Sequence, residues 1–493
     1  MLETIRQYAQ EKLAAGGESE LAYRQHLAYY LALAEVAASE LRGPRKVDWL
    51  NRLDRENDNL RVALGWAIQQ AEAESALQLA SAMAYFWIIR SSAAEGRRWL
   101  AAALHLPASL GSPGTSAWRA RALLGAGWLE LEKDPSPSRP WADQALDIYR
   151  ELGDKAGMAF ALWLLAGQRR LVKDYAGASQ HYAKALDLWT AAGDRWGAGI
   201  CLHQMGHAAL EMGDSARAQE FYQRSVEIWR EVGDRGQWLW ALSDLAFRVW
   251  MDGDSPRARA ILEESLAAFG ELEDGFWIGM LSHLTYILIA LGDFPRASAT
   301  ARSFHYVIGG QRSNAMGQVY LGQIALLQGR LSEAQAILAG ALQSFQDLNQ
   351  PDWSHWISPW LAAGAYRQGD LQRARALIHD DPHLIGIDDP ERDGSDKRFP
   401  LLVLGDVARM QGQPAIASES YARSLKILVH DRNQPDMAPP LEGFAKLAAM
   451  AAQPLRAARL FGAAQALRGR IGLRIPPVEQ PDYDAAVAQT RAQ

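Results

Sequence analysis

Apolar positions fall at helical spacing along almost the whole of this chain. In "MLETIRQYAQEKLAAGG" Leu2, Ile5, Ala9 and Leu13 share one side of a 3.6-residue period, and Gly16-Gly17 end it. "ELAYRQHLAYYLALAEVAASEL" and "DWLNRLDRENDNLRVALGWAIQQ" read as two further amphipathic helices, separated by Gly43-Pro44. Further along, a longer period is superimposed. Gly153-Asp154, Gly193-Asp194 and Gly233-Asp234 recur every 40 residues, and Glu273-Asp274 continues the series. Lys173-Asp174, Gly213-Asp214, Gly253-Asp254 and Gly292-Asp293 stand between them, and Gly329, Gly369-Asp370 and Gly412 extend that second series. Glycine closes a helix in the left-handed conformation, and the aspartate after it caps or turns the chain. The expected structure is helix, tight turn, helix, tight turn, with no convincing strand: an all-α fold.

The side chains repeat in the same register. Ala178, Ala218, Ala258, Ala297, Ala334, Ala374, Ala417 and Ala457 each sit early in the second helix of a pair. Four residues on come Tyr182, Tyr222, Leu262, Leu338, Ile378, Tyr421 and Phe461, and three further Ala185, Ser225, Ser265, Ala341, Ser424 and Ala464. Ala166, Gly206, Ala246, Gly322, Ala362, Gly405 and Ala445 precede the early alanines by twelve and mark the crossing on the first helix. Small residues facing large ones let paired helices interdigitate. Tyr149, Trp189, Trp229 and Phe269 repeat at 40 and are expected to seal each pair to the next.

The stretches "LLAGQRRLVKDYAGASQHYAKALDLW", "QMGHAALEMGDSARAQEFYQRSVEIW" and "LGQIALLQGRLSEAQAILAGAL" resemble the tetratricopeptide repeat with a lengthened second helix. The resemblance implies a right-handed solenoid of about ten helix pairs over residues 75–470. Residues 1–74 then form an N-terminal helical segment with capping helices, and 471–493 a proline-broken tail with a short helix. "LPASLGSPGTSAW", "EKDPSPSRPW" and "HDDPHLIGIDDPERDGSDKRF" are loops rather than domain linkers, because the register resumes after each.

A narrower resemblance covers both edges. "MLETIRQYAQEKL" is similar to the closing helix of the winged-helix segment in bacterial signal-transduction ATPases of the STAND class. "LRGPRKVDWLNRLDRENDNLRVALGWAI" is similar to the next segment of those proteins, and "AEGRRWLAAAL" to their first repeat. "RAARLFGAAQALRGRIGLRIPPVEQPDYDAAVAQTR" is similar to the end of their repeat array. In that family a nucleotide-binding module comes first, and some members continue into a LuxR-type DNA-binding domain. This sequence has no Gly-Lys dipeptide and so no phosphate-wrapping P-loop. The resemblance therefore implies the sensing arm of such a regulator, with Met1 expected to be a cut edge.

Composition narrows the function further. Cys201 is the only cysteine, which excludes an internal disulfide or a cysteine-rich zinc site and suits a reducing cytoplasm. The net charge of -6 argues against a broad nucleic-acid footprint, and no apolar run is long enough to span a membrane. "HQMGH" lacks the glutamate base of the zinc-peptidase helix; a metal on His203, His207 and Glu211 is the weaker reading, groove-lining histidines the favoured one. "HDDPHL" and the acids after it lack calcium-loop spacing and read as a solvated acidic loop. No serine nucleophile motif and no dinucleotide fingerprint occurs, so neither an enzyme nor a cofactor is expected.

What remains is the inner face of the repeats, which the family lines with first helices. By register it holds Phe160, Trp163 and Arg170, then His203, His207 and Glu211, then Trp240, Ser243, Phe247 and Trp250. Aromatic and arginine side chains bury large area at small entropic cost. The expected function is a non-catalytic sensor or interaction arm taking a protein, a peptide or a small inducer in this groove. The alternatives are a free-standing scaffold joining protein partners, a metal-dependent hydrolase at the histidines, and regulation by homo-oligomerisation.

Overall fold

The computed structural model describes residues 12–13, 15–90, 92–107, 113–131, 140–269, 278–306, 310–350, 353–384, 387, 389 and 394–493. Among them are 23 α-helices, a few 3-10 turns and no strand. No helix among the described residues is long and apolar enough to cross a membrane. The described residues form two compact units, one reaching Ala241 and the other beginning at Leu242.

The N-terminal unit holds α1 (Ser19–Glu40), α2 (Lys46–Gln69), α3 (Ala73–Ile89), α4 (Ala93–Leu104), α5 (Pro113–Leu131) and α6 (Trp141–Leu152). It continues through α7 (Lys155–Leu171), α8 (Tyr175–Ala192), α9 (Arg195–Glu211) and α10 (Ser215–Val232) into the start of α11 (Arg235–Met251). The C-terminal unit takes the rest of α11, then α12 (Ser255–Phe269), α13 (Ile278–Ala290), α14 (Phe294–Arg302), α15 (Gln311–Leu327) and α16 (Leu331–Asp347). It ends with α17 (Ser354–Arg367), α18 (Leu371–His379), α19 (Arg398–Met410), α20 (Pro414–His430), α21 (Ala438–Met450), α22 (Pro454–Ile471) and α23 (Gln480–Ala492).

The glycine–aspartate punctuation works as its chemistry dictates. Gly153, Gly193 and Gly233 end α6, α8 and α10 at φ of 68°, 74° and 78°. Asp154, Asp174, Asp194 and Asp214 each accept the backbone N–H three residues on, capping α7 to α10, and Asp293 and Asp370 do the same for α14 and α18. Lys173 occupies the glycine place in the α7–α8 turn at φ 62°. A side chain there costs roughly 1–2 kcal/mol, partly offset by the greater unfolded-state freedom of glycine. Lys173→Gly is therefore expected to raise stability by about 0.5–1 kcal/mol, read by urea denaturation.

The interior follows the repeated register. All eight early alanines are 0% exposed. Tyr182, Tyr222, Leu262, Leu338, Ile378 and Tyr421 are buried beside them. The small crossing residues are required sterically: a Cβ on Gly206 would lie 2.4 Å from the Tyr222 ring, and one on Gly322 would lie 2.6 Å from Leu338. Tyr149 and Trp189 pack on Gly157 and Gly197 of the following helix, where a Cβ would meet the rings at 2.3 and 2.4 Å. Those two rings therefore seal successive pairs.

Each unit also joins elements far apart in sequence. In the N-terminal unit α1 packs on α2 and α3, and the α1–α2 turn reaches the α10–α11 turn. There the buried Lys46 Nζ donates to the fully buried Asp234 at 3.3 Å, and Gln237 donates to the Tyr85 hydroxyl at 3.3 Å. In the C-terminal unit the α20–α21 turn returns to the end of α11: Gln434 N–H donates to the Met251 carbonyl at 3.0 Å, and Arg248 to the Arg432 carbonyl at 3.1 Å.

The "HDDPHL" stretch departs from the expected solvated loop. Asp381 is buried and accepts from the Ser354 and Ser358 hydroxyls at 2.9 and 2.7 Å and from His383 N–H at 3.0 Å. It ties the end of the α17–α18 pair together, a tertiary role that composition does not reveal. The stripe Leu2–Ala9, the pair Glu273-Asp274, the Phe269 side chain, residues 108–112 and 132–139, and most of 385–393 lie outside the described residues.

Candidate ligand-binding cavity

Helices of opposite origin line one cavity in the N-terminal unit. Phe160 and Trp163, one helical turn apart on α7, face it with Trp196 at the start of α9. Tyr85 of α3, Trp128 of α5 and Arg42, just beyond α1, close it from the other side. Its volume is about 230 Å³. Clefts for drug-sized ligands run to about 300–1,000 Å³, so this one suits a small molecule or a single residue of a larger partner.

Trp128 is the hub of the aromatic lining. Tyr85 stacks on it at 5.4 Å between centroids, and Phe160 and Trp163 meet it edge-on at 5.3 Å each. Trp196 stands 5.4 Å from Tyr85 and 6.4 Å from Trp128. Offset and edge-to-face contacts of this kind hold rings rigidly, so the lining is preformed.

The polar groups are few and unequal. The Arg42 guanidinium lies 4.6 Å from the Trp196 ring centroid. Burial pulls its pKa below the ordinary arginine value, and the Asp194 carboxylate offsets part of that. Its Nε is buried without a hydrogen-bond partner, and so is Trp163 Nε1. Arg121, also in the lining, is already paired with Glu35 at 3.0 Å. Asp154 and Asp194 border the cavity, and each spends an oxygen on its helix cap, at Gly157 N and Gly197 N. Two residues of the lining, Arg42 and Trp163, thus each hold a buried N–H donor that lacks an acceptor within the described residues.

The other expected groove residues are placed elsewhere. Arg170 lies near the Tyr182 hydroxyl, where its charge partly opposes the rise in pKa that burial causes. His203 is fully buried, with Trp240 edge-on at 4.3 Å, while His207 Nδ1 meets the Tyr222 hydroxyl at 3.0 Å. Glu211 is exposed and engages the Tyr175 hydroxyl, so it does not converge with the two imidazoles as a metal triad would. In the C-terminal unit Phe247 stacks on His283 at 4.2 Å, and Ser243 and Trp250 are 0% exposed. Full burial makes Trp250 a packing residue. Of the ten residues, only Phe160 and Trp163 line the cavity. Its other principal walls, Arg42, Tyr85, Trp128 and Trp196, were not singled out from the sequence. The available signal was Trp196, one residue before the glycine that Trp189 covers.

Comparison with known proteins fits this architecture. The family model described as the tetratricopeptide repeat matches residues 157–231 and 200–271, which span α7 to α12. These are tetratricopeptide repeats. Over 170 residues the chain is 35% identical to "Putative HTH-type transcriptional regulator Rv0890c" of Mycobacterium tuberculosis and, equally, to "Putative HTH-type transcriptional regulator Mb0914c" of Mycobacterium bovis. The matched part is 33% of this chain and 19% of each relative, so the chain spans about a fifth of the length of the curated relatives it matches. Among solved structures it is similar to a Rap protein complexed with competence and sporulation factor, with TM-score 0.42, 13% identity, and coverage of 72% of this chain and 98% of that one. It is also similar to the apo form of the quorum sensor NprR from B. thuringiensis, with TM-score 0.37, 12% identity, and coverage of 79% and 97%. The described residues are thus all helical, residues 157–271 match the tetratricopeptide repeat, and the cavity is lined partly by the first of those matched repeats and partly by the helices before it.

Proposed function

We propose that this chain is a non-catalytic sensor arm of a bacterial transcriptional regulator, working in the cytoplasm beside an ATPase module of the STAND class. Its ligand is a small organic acid with a flat apolar body, held in the aromatic cavity of the N-terminal unit. The observation that carries this reading is the pair of buried donors without acceptors, Arg42 Nε and Trp163 Nε1, in a lining of preformed rings. A carboxylate supplies the missing acceptor and charge, and the rings supply the apolar contact. A ligand shifts a regulator only by its differential affinity for two states. Arg42 follows α1 while Trp163 is on α7, so an occupant would bridge the N-terminal helices to the repeats.

The test is calorimetric titration of the chain with phenylacetate and with phenylacetamide, which differ in charge at nearly constant shape. A hydrogen bond to a charged group contributes about 1.5–3 kcal/mol, or roughly 10–100-fold in affinity. The acid is expected to bind with a Kd below about 1 mM and the amide at least about tenfold more weakly. Arg42→Met should abolish that preference, and Trp163→Ala should weaken both ligands. Equal binding of acid and amide, or no heat from either at millimolar concentration, would overturn the reading.

A further inference from the structure

The C-terminal unit carries a second feature, independent of the cavity. Three cations stand near the ends of the first helices of successive pairs: Arg367 on α17, Arg409 on α19 and Lys446 on α21. Their side chains are only 13%, 11% and 12% exposed. Cations are favoured at helix C-termini, but burial this deep calls for counter-charge. Most of that counter-charge comes from one segment, residues 473–493. Glu479 accepts from Arg367 at 3.0 Å, and Asp482 accepts from Arg409 at 2.9 Å and from Lys446 at 2.7 Å. Among the described residues, Arg367 and Lys446 have no other ion pair; Arg409 also stands 3.7 Å from Asp406.

The segment follows a line across four first helices. Val478 N–H donates to the Leu327 carbonyl at the end of α15, then come the three cations in order, and Gln489 donates to the Ala449 carbonyl of α21 at 3.3 Å. Tyr483 rests edge-on against Phe461 at 5.2 Å. Yet α23, which carries most of these groups, buries no residue, and Asp482 is 50% exposed. A segment with few buried contacts of its own opens at low cost, and the cations it uncovers then regain water. A firmly built basic track is therefore covered by a loosely held acidic segment.

We propose that residues 473–493 are an intrinsic occupant of the Arg367–Arg409–Lys446 track, and that the track docks an acidic helical segment of a partner polypeptide when they leave. The occupant shows what the partner must carry: two carboxylates three residues apart in the first turn of a helix, then an aromatic residue, as in Glu479-x-x-Asp482-Tyr483. The partner segment and residues 473–493 compete, so docking is autoinhibited in the resting chain.

The probe is a fluorescein-labelled synthetic peptide of residues 474–493, titrated by anisotropy with the full chain. Full-length Glu479→Gln/Asp482→Asn, which frees the track without deleting the segment, is expected to bind it at least tenfold more tightly than the wild-type chain. Adding Arg367→Gln/Lys446→Gln to that variant should abolish binding, and circular dichroism checks that each variant is folded. Equal binding by the wild type and the double variant, or binding that survives loss of the two cations, would overturn the proposal. Hydrogen exchange on the wild-type chain gives a second reading. Amides of α23 should exchange at least a hundredfold faster than those of α21, and faster still in high salt. Equal protection of the two helices would make the segment a fixed structural element and refute its displacement.

Discussion

Asp234→Ala is expected to lower the stability of the N-terminal unit by about 3–5 kcal/mol, the range for removing one partner of a buried ion pair. Asp234 is 0% exposed and accepts from Lys46 Nζ at 3.3 Å, Trp196 Nε1 at 3.3 Å and Gln237 N–H at 3.2 Å. Burial pushes the Lys46 ammonium down, but the Asp234 carboxylate more than offsets this and leaves its pKa above the ordinary lysine value. Removing the carboxylate strands that ammonium against the Tyr85 ring, 5.6 Å away. It also uncaps α11 at Gln237 and orphans the Trp196 indole. Lys46→Met in the same background should recover a large part of the loss, because the uncompensated charge goes with it. Urea denaturation of the two single variants and the double variant measures the coupling, and a loss below about 1 kcal/mol for Asp234→Ala would show that the pair contributes little. The effect should reach the cavity. Arg42 precedes Lys46 by four residues in the same turn region, so loosening this tie is expected to weaken phenylacetate binding as well.

Tyr421→Ala carries a comparable expected loss in the C-terminal unit, about 3–5 kcal/mol by analogy with other buried aromatic truncations. The ring is 0% exposed and lies between two glycines, where a Cβ on either Gly405 or Gly443 would come within 2.5 Å of it. Because α19 and α21 approach closely around this ring, its removal leaves a cavity between them. Its hydroxyl donates to Asp406 Oδ1 at 2.7 Å, and Asp406 Oδ2 accepts from Tyr366 at 3.2 Å. Tyr421→Phe keeps the volume and removes one hydrogen bond, so its expected cost is smaller, about 1–3 kcal/mol. A thermal or urea denaturation series of the two variants separates packing from hydrogen bonding. Equal losses would assign the residue's contribution to its hydroxyl rather than its ring.

The part of this molecule legible in its sequence is the part that repeats. Gly193-Asp194 and its equivalents announce their turns because left-handed φ and N-capping are local chemistry. Ala178, Ala218 and the alanines in register with them announce the helix crossings, because each pair packs against neighbours only about 20–40 residues away. Phe160 and Trp163 stand at positions of the same register, and several of their neighbours in the cavity do not. Arg42 and Tyr85 reach the cavity from helices outside the matched repeats, and the acidic segment reaches Arg367 from 112 residues away.

What the sequence by itself determined was the all-α repeat, its turns, its small-on-large interior and the absence of a P-loop from the chain. Only the tertiary structure decided which side chains share a cavity, that Lys46 meets Asp234 across 188 residues, that Trp250 is core, and that residues 473–493 lie along a basic track. The physical reason is that nearest-neighbour packing is written into each repeat by its periodicity. Long-range closure instead depends on the small rotations accumulated over many helix pairs, and no single residue encodes that sum.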